Sequence, residues 1–324
     1  MSKTSRIIDL SGKSILVTGA AGFIGQHLVP ALQSAGANVV STDDHKIDWR
    51  CGDGHKHIVA DLLDTASFRN TVEKFVELSE ADTVVIHLAG WSDVSQCEAD
   101  PETALHVNCG LTRQLIENGI IFGVQQFILP STVLVYGLGY RKPIREEDDV
   151  DPVSAYAISK YEMEAMARDA VKDGHAECTV LRIGNIYSTQ PKSGTVLSDI
   201  IEQVTTGEDP VCLRDLNPVR DYIYISDVIS GFLAAIDSGQ SRLYEVYNLS
   251  SGRGVSVGEL AQIVINKSGC QLTTRQTKTG QFDTSSIVLN VSRFEQDTGW
   301  TPSVSLEQGV EMILERKRDR HIVN

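Results

Sequence analysis

Apolar residues along the first half of the chain fall into two alternating patterns. Compact apolar runs of strand length occur from Ile15 to Thr18, Ala37 to Thr42, His57 to Ala60, Thr83 to Ala89 and Gln126 to Leu129. Between them, apolar positions recur at helical spacing, beginning at Leu28, after Asp64, after Pro101 and after Ser154. A strand that is apolar at nearly every position is buried on both faces, as happens when helices cover a parallel sheet. Five alternations of strand and helix therefore predict an α/β fold, a Rossmann-type doubly wound parallel sheet, with a smaller C-terminal lobe. In such sheets ligands sit beyond the carboxyl ends of the strands. The residues found there carry the functional reading.

At the first such end, Ile15 to Thr18 runs into Gly19, Gly22 and Gly25, with Phe23 and Ile24 between the last two. A glycine turn that opens a helix lets the backbone approach a pyrophosphate and aims free N–H groups at it. The GxxGxxG spacing differs from the usual dinucleotide fingerprint, and a plain structural turn also accounts for it. At the second end stand Asp43 and Asp44, where a carboxylate accepts bonds from ribose hydroxyls and repels a 2′-phosphate, which favours NAD over NADP. A strand-end turn is the alternative. Asp61 and Leu62 follow the third strand, and Leu88, Ala89 and Gly90 give the fourth a small end. Ser131 and Thr132 place two hydroxyls at the end of the fifth. His55 and His57, in a loop without further ligands nearby, read as solvated.

Composition narrows the classes. The chain has 324 residues, 41% hydrophobic and 22% charged, enough for one large domain with a partner lobe. Its net charge of −14, from 43 acidic and 29 basic residues, argues against a nucleic-acid partner. No apolar run reaches membrane-spanning length and no signal-peptide pattern opens the chain, so a cytoplasmic location and no membrane partner are expected. Six cysteines without a CxxC pair indicate neither zinc nor a disulfide framework, and no metal is expected.

Tyr156 and Lys160 lie four apart on the helix predicted from Ser154 to about Lys172, so they share a face. A free tyrosine titrates near ~10 and is a poor base at neutral pH. A neighbouring ammonium favours the phenolate, which then takes a proton from a substrate hydroxyl or returns it. Such a pair is common by chance; its meaning comes from the glycine turn, the acidic strand tip and the Ser-Thr strand end on the same edge.

With these residues in place, the chain resembles the extended short-chain dehydrogenase/reductases, and among them the NAD-dependent nucleotide-sugar epimerase/dehydratase family. The resemblance runs nearly end to end. It implies that Gly19, Gly22, Phe23, Ile24, Gly25, Asp43, Asp44, Asp61, Leu62, Leu88, Ala89, Gly90 and Asn108 hold NAD together with Tyr156 and Lys160. It implies Thr132 as the catalytic hydroxyl, four residues before Tyr136 in a Val-Tyr-Gly sequence, completing a triad with Tyr156 and Lys160. Ser92, Thr132, Asn185, Arg220 and Asp283 become candidate nucleotide-sugar contacts, Arg220 through paired bonds to the diphosphate. Residues 1–182 with a returning segment 219–249 are expected to bind NAD, and 183–218 with 250–324 the substrate.

Departures from the family pattern cluster in the second part. Ser188 replaces a glycine, Arg214 to Asn217 a glycine-rich turn, and Asn290 an aspartate, while Lys278 to Asp283 is a degraded basic-Gly-Asp segment. These put the sugar and nucleotide in question, not NAD. Val133 and Leu134 stand where 4,6-dehydratases carry an Asp-Glu pair, and apolar side chains perform no acid-base chemistry. The expectation is thus an epimerase acting at C4 through a 4-keto sugar. A net redox reaction on a sugar or other alcohol, and a non-enzymatic NAD-sensing protein, are the alternatives. Relatives often form homodimers through helices corresponding to Pro101–Phe122 and Ser154–Lys172; Ala104, Leu111, Leu115, Ala157, Met163 and Met166 would serve such an interface or the core equally.

Overall fold

The computed structural model describes residues 8–47, 55–79, 82–140, 142–238, 242–278 and 285–323. The chain opens with β1 (Lys13–Thr18), the glycine turn, α1 (Gly25–Ser34), β2 (Asn38–Asp43), β3 (Lys56–Val59), α2 (Thr65–Glu77) and β4 (Asp82–His87). There follow α3 (Val94–Ala99), α4 (Pro101–Leu105), a π-turn (His106–Gly110), α5 (Leu111–Phe122), β5 (Gln126–Thr132) and a 3₁₀ turn (Val133–Tyr136). Next are α6 (Ala155–Val171), β6 (Glu177–Ile183), β7 (Asn185–Tyr187), α7 (Val196–Thr206), β8 (Val211–Leu213) and β9 (Val219–Tyr224). The chain ends with α8 (Ile225–Asp237), β10 (Tyr244–Leu249), β11 (Gly254–Ser256), α9 (Val257–Ser268), β12 (Thr274–Gln276), β13 (Ser286–Ile287), α10 (Ser292–Thr298) and α11 (Leu306–Val323).

Seven strands form a parallel sheet in the order β10-β6-β5-β4-β1-β2-β3, the doubly wound architecture that the alternating pattern predicts. Thr18 lies level with Thr42 on one side and His87 on the other, so three strands end together. That registry brings the glycine turn, Asp43 and the Leu88–Gly90 segment to one edge. Ile15 and Val17 bury one face of the sheet against α1 and α8, while Leu16 and Phe127 bury the other against α2, α5 and α6. Both faces are dry, which explains the unbroken apolar runs.

The second layer of strands is separate. β9 pairs with β7, β11 and β13, and β8 pairs with β12. Thus α8 packs against the large sheet and β10 joins it, whereas β9 belongs to the small one. Among the described residues, no helix is long and apolar enough to cross a membrane.

The helix expected from Pro101 to Phe122 contains an irregularity. Asp100 caps α4, its side chain accepting from the Thr103 N–H at 3.1 Å, but the ladder widens into the π-turn around Asn108 before α5 resumes. Ala104, Leu111, Leu115, Ala157 and Met163 are all buried within the chain, and Met166 packs against the same core. These residues therefore offer no outer face. Leu105, Ile121 and Ile158 are the apolar side chains left exposed on these helices.

Candidate functional site

The glycine turn is built by close approach. Gly19 has φ of +65°, and a Cβ there would stand 2.5 Å from the Ala89 nitrogen and 2.7 Å from the Leu88 carbonyl carbon. On Gly25 a Cβ would stand 2.5 Å from both the Gly19 and Ala20 oxygens. Gly22 donates its N–H to the Gly19 carbonyl at 3.1 Å. No side chain caps α1 at Ile24, which packs against the core while Phe23 remains 41% exposed. A bare helix N-terminus behind a turn packed tightly by three glycines is a fitting cradle for a pyrophosphate.

Asp43 sits beside that cradle. Its Oδ2 accepts the Ala21 N–H at 2.8 Å, locking the end of β2 to the turn, and its Oδ1 accepts the Asp44 N–H at 3.0 Å. Burial, the largest influence, pushes the Asp43 carboxyl up; a bond to His45 is the main reason Asp44 is held down. His45 pairs with both carboxylates. Asp61 is exposed and caps its own turn through the Leu63 N–H at 2.9 Å, while Leu62 is buried. His55 and His57, expected to be solvated, instead converge on the Ser41 hydroxyl at 2.9 and 2.8 Å. Ser41 is fully buried, and the next strand brings the second imidazole to it.

The triad residues meet at the next strand ends. Ser154 caps α6, accepting the Ala157 N–H at 3.1 Å, and the helix then carries Tyr156 and Lys160 on one face. The Tyr156 phenol and the Thr132 hydroxyl are hydrogen-bond partners. Lys160 Nζ donates to the Pro130 carbonyl at 3.0 Å, two residues before Thr132. Ser131, expected to face the crevice beside Thr132, is turned the other way and donates to Glu164 at 2.5 Å. Adjacent residues of a strand point to opposite faces, so only one of the two hydroxyls reaches the edge.

Asn108 connects these parts. Its amide accepts from the Trp91 N–H at 2.8 Å and donates to the Trp91 carbonyl and the Ser159 hydroxyl, each at 2.9 Å. Its donors are thus directed at the protein, holding the exit of β4 against α6. A Cβ on Gly90 would stand 2.7 Å from this amide and 4.0 Å from Lys160 Nζ, so the small residue is needed for this junction as well as for any ligand.

In the protein alone, burial dominates both ionisable groups. It pushes the Tyr156 phenol up to about 12 and Lys160 down to about 8, so ionising Tyr156 takes help beyond Lys160. The sign has a measurable consequence. Lys160 titrates near 8 in the folded chain and at 10.5 in its ordinary setting. Between those values the unfolded chain binds the extra proton, so this group makes stability rise with pH; Tyr156 acts oppositely between 10.0 and about 12. In thermal melts without cofactor, wild type should gain on Lys160→Met as pH goes from 8 to 10. A constant difference in Tm would contradict the buried, weakly basic lysine.

A cleft of about 1020 Å³ opens between the glycine turn and the exit of β4 on one side and the second group of strands on the other; Thr132, Tyr156 and Lys160 are not among its lining residues. Phe23 lines it from the glycine turn, Ser92 from the exit of β4, Asn185 from β7 and Arg220 from β9. Four widely separated segments thus supply residues singled out in the sequence. Arg220 Nη1 donates to the Val219 carbonyl at 2.9 Å and to the Ser285 hydroxyl at 3.1 Å, which fixes its guanidinium on the cleft wall. Asp283 lies outside the described residues. Lys192, Arg214 and Lys278 also line the cleft, together with Asp199 and Asp215, and Lys278 pairs with Asp215 at 3.6 Å. Lys192 bridges to Asp93 at 3.0 Å across the opening, a pairing of residues too far apart in sequence to anticipate.

A model of the NAD dependent epimerase/dehydratase family matches residues 15–250. The chain belongs to that family. It is 27% identical to the UDP-glucose 4-epimerase of Bacillus subtilis, over 91% of this chain and 94% of that one. Among solved structures it is similar to the UDP-glucose 4-epimerase of Thermotoga maritima with UDP-glucose, at 28% identity and a TM-score of 0.80, covering 95% and 99% of the two chains. It is similar also to the UDP-glucuronic acid 4-epimerase of Bacillus cereus in complex with UDP-glucuronic acid and NAD, at 26% identity, a TM-score of 0.80 and the same coverage.

NAD is the cofactor of this epimerase/dehydratase family member. The residues present fit it: the tight glycine turn before the uncapped start of α1 suits the pyrophosphate, and Asp43 at the tip of β2 suits unphosphorylated ribose hydroxyls while opposing a 2′-phosphate.

Proposed function

We propose that this chain epimerises a nucleotide-activated sugar at C4, through a transient 4-keto sugar. The observation that carries the reading is the meeting of Thr132, Tyr156 and Lys160 at the strand ends, on the edge that also bears the glycine turn, with a separate cleft bearing Ser92, Asn185 and Arg220 starting from that turn and the exit of β4. The relatives named above, acting on UDP-glucose and UDP-glucuronic acid, support the same substrate class.

The glycine turn, Asp43 and the Leu88–Gly90 segment would hold NAD. When bound, it supplies a hydride acceptor and donor and a positive nicotinamide charge. Tyr156 takes the proton of the C4 hydroxyl and gives it back after the ketone has been reduced on its other face. Thr132, hydrogen-bonded to Tyr156, shares that hydroxyl and relays the proton. Lys160 supplies positive charge behind the phenol, and this counts most when its own ammonium is stabilised by a forming phenolate. Arg220 binds the diphosphate and Asn185 contacts the sugar nucleotide. Residues 1–182, with α8 and β10, serve the cofactor, and the small strands with the C-terminal helices select the substrate. A homodimer would form through the exposed Leu105, Ile121 and Ile158 on α4, α5 and α6.

Val133 and Leu134 follow Thr132 directly, and Val133 is buried, so no carboxylate adjoins Thr132 to eliminate water across C5 and C6. The test is to give the protein UDP-glucose, UDP-glucuronic acid and GDP-sugars without added cofactor and to resolve the C4 epimers. Interconversion of one pair is expected. Failure with every nucleotide sugar, or turnover only with stoichiometric NAD consumption, overturns the reading.

A further inference from the structure

Beneath the triad lies a buried ion pair that the proposed chemistry does not use. Glu164 follows Lys160 by one turn of α6 and is 2% exposed; Arg182, on β6, is 5% exposed. The guanidinium clasps the carboxylate through Nη2 at 2.6 Å and Nε at 3.1 and 3.2 Å. Burying such a pair strips both charges of water, and apolar replacements of similar volume are often as stable, so stability alone does not account for it.

Its connections do. Glu164 Oε1 accepts the Ser131 hydroxyl at 2.5 Å. Ser131 stands between Pro130, whose carbonyl holds Lys160 Nζ, and Thr132, which meets Tyr156. One carboxylate therefore grips the strand between the two contacts that set the triad. Arg182 is itself fixed, stacked 4.7 Å over the Tyr136 ring, and Tyr136 bonds Asn248 at 2.7 Å. Tyr244 bonds the Glu164 carbonyl at 3.0 Å, tying α6 to β10.

We infer that Glu164 is a positioning residue: through Ser131 it fixes the end of β5 against α6, and with it the strand segment whose Pro130 carbonyl holds Lys160 and whose Thr132 faces Tyr156. The inference rests on the epimerase reading for its kinetic readout alone. Around Lys160 stand Tyr156 and Glu164 on its own helix, Cys97 on α3 and His87 on β4, with Arg182 behind Glu164. His87 is fully buried and held neutral, so it brings no charge. Glu164 opposes the effect of burial on the lysine.

The experiment compares wild type with Glu164→Gln, Ser131→Ala and the double variant Glu164→Met/Arg182→Met, following the Lys160 signal in protein labelled with carbon-13 lysine, assigned by its loss in Lys160→Met. The double variant leaves no unpaired charge and is the deciding one if Glu164→Gln fails to fold. Expected is a folded double variant whose Lys160 titrates lower than wild type by about one pH unit. Its kcat should fall roughly tenfold with KM little changed, and Ser131→Ala should show a smaller fall in kcat. Wild-type kcat and an unmoved Lys160 titration in the folded double variant would overturn the inference. If wild type proves inactive on every nucleotide sugar, the epimerase reading falls, and the lysine titration still decides this one.

Discussion

Tyr156→Phe is expected to lower kcat by about 10²–10⁴-fold, the usual size of a lost general acid-base group, with the fold intact. The ring occupies the same space, and what disappears is the hydroxyl that meets Thr132. Retained NAD should be unchanged, because the cradle and Asp43 are untouched. The wild-type pH profile carries a second signature. Burial holds the phenol near 12 in the protein alone, so Tyr156 is not in its basic form at neutral pH without help, whereas Lys160, near 8, is already an ammonium. Cofactor binding should therefore move the titration of Tyr156 downward, seen as tyrosinate absorbance at lower pH in holo than in apo protein. Equal titration in the two forms, or full activity in Tyr156→Phe, would remove Tyr156 from its assigned role.

Gly19→Ala should be the most damaging single change in the cradle. An L-residue at φ +65° costs roughly 1–2 kcal/mol, and the added methyl would also press within 2.5 Å of the Ala89 nitrogen. The turn must open or β4 must shift, and either movement displaces the segment expected to face NAD. Loss of copurifying NAD and a lower Tm are the expected results. Gly22→Ala is the internal control: its Cβ meets only the Gly19 oxygen at 3.1 Å, so a small shift accommodates it and more cofactor should be retained. Equal retention in the two variants would show that close packing of the turn against β4 does not govern binding.

Local patterns carried much of this architecture. The sheet follows from apolar runs buried on both faces, and the alignment of Tyr156 with Lys160 from the helical repeat alone. Relations across the chain were less legible. The π-turn at Asn108 interrupts an otherwise helical apolar pattern, and within it Asn108 bonds Trp91 and Ser159, contacts that no local spacing encodes. The direction of Ser131 could have been read from strand alternation once Thr132 was assigned to the edge. Its partner Glu164 could not, since that contact depends on how α6 settles on β5. The size of the obstacle to ionising Tyr156 was not legible for the same reason: sequence spacing displays the neighbouring charge but not the desolvation, which raises the phenol in the protein alone. The apolar helix residues were ambiguous between core and interface because amphipathic spacing does not say what covers a face. Packing resolved them into core.

The central claim, inversion at C4 by an oxidation and reduction confined to that carbon, is tested most directly with the nucleotide sugar that the protein converts, deuterated at C4 and incubated with the purified protein and no added cofactor. The account predicts the C4 epimer with its deuterium kept at C4. Deuterium lost to solvent would contradict it.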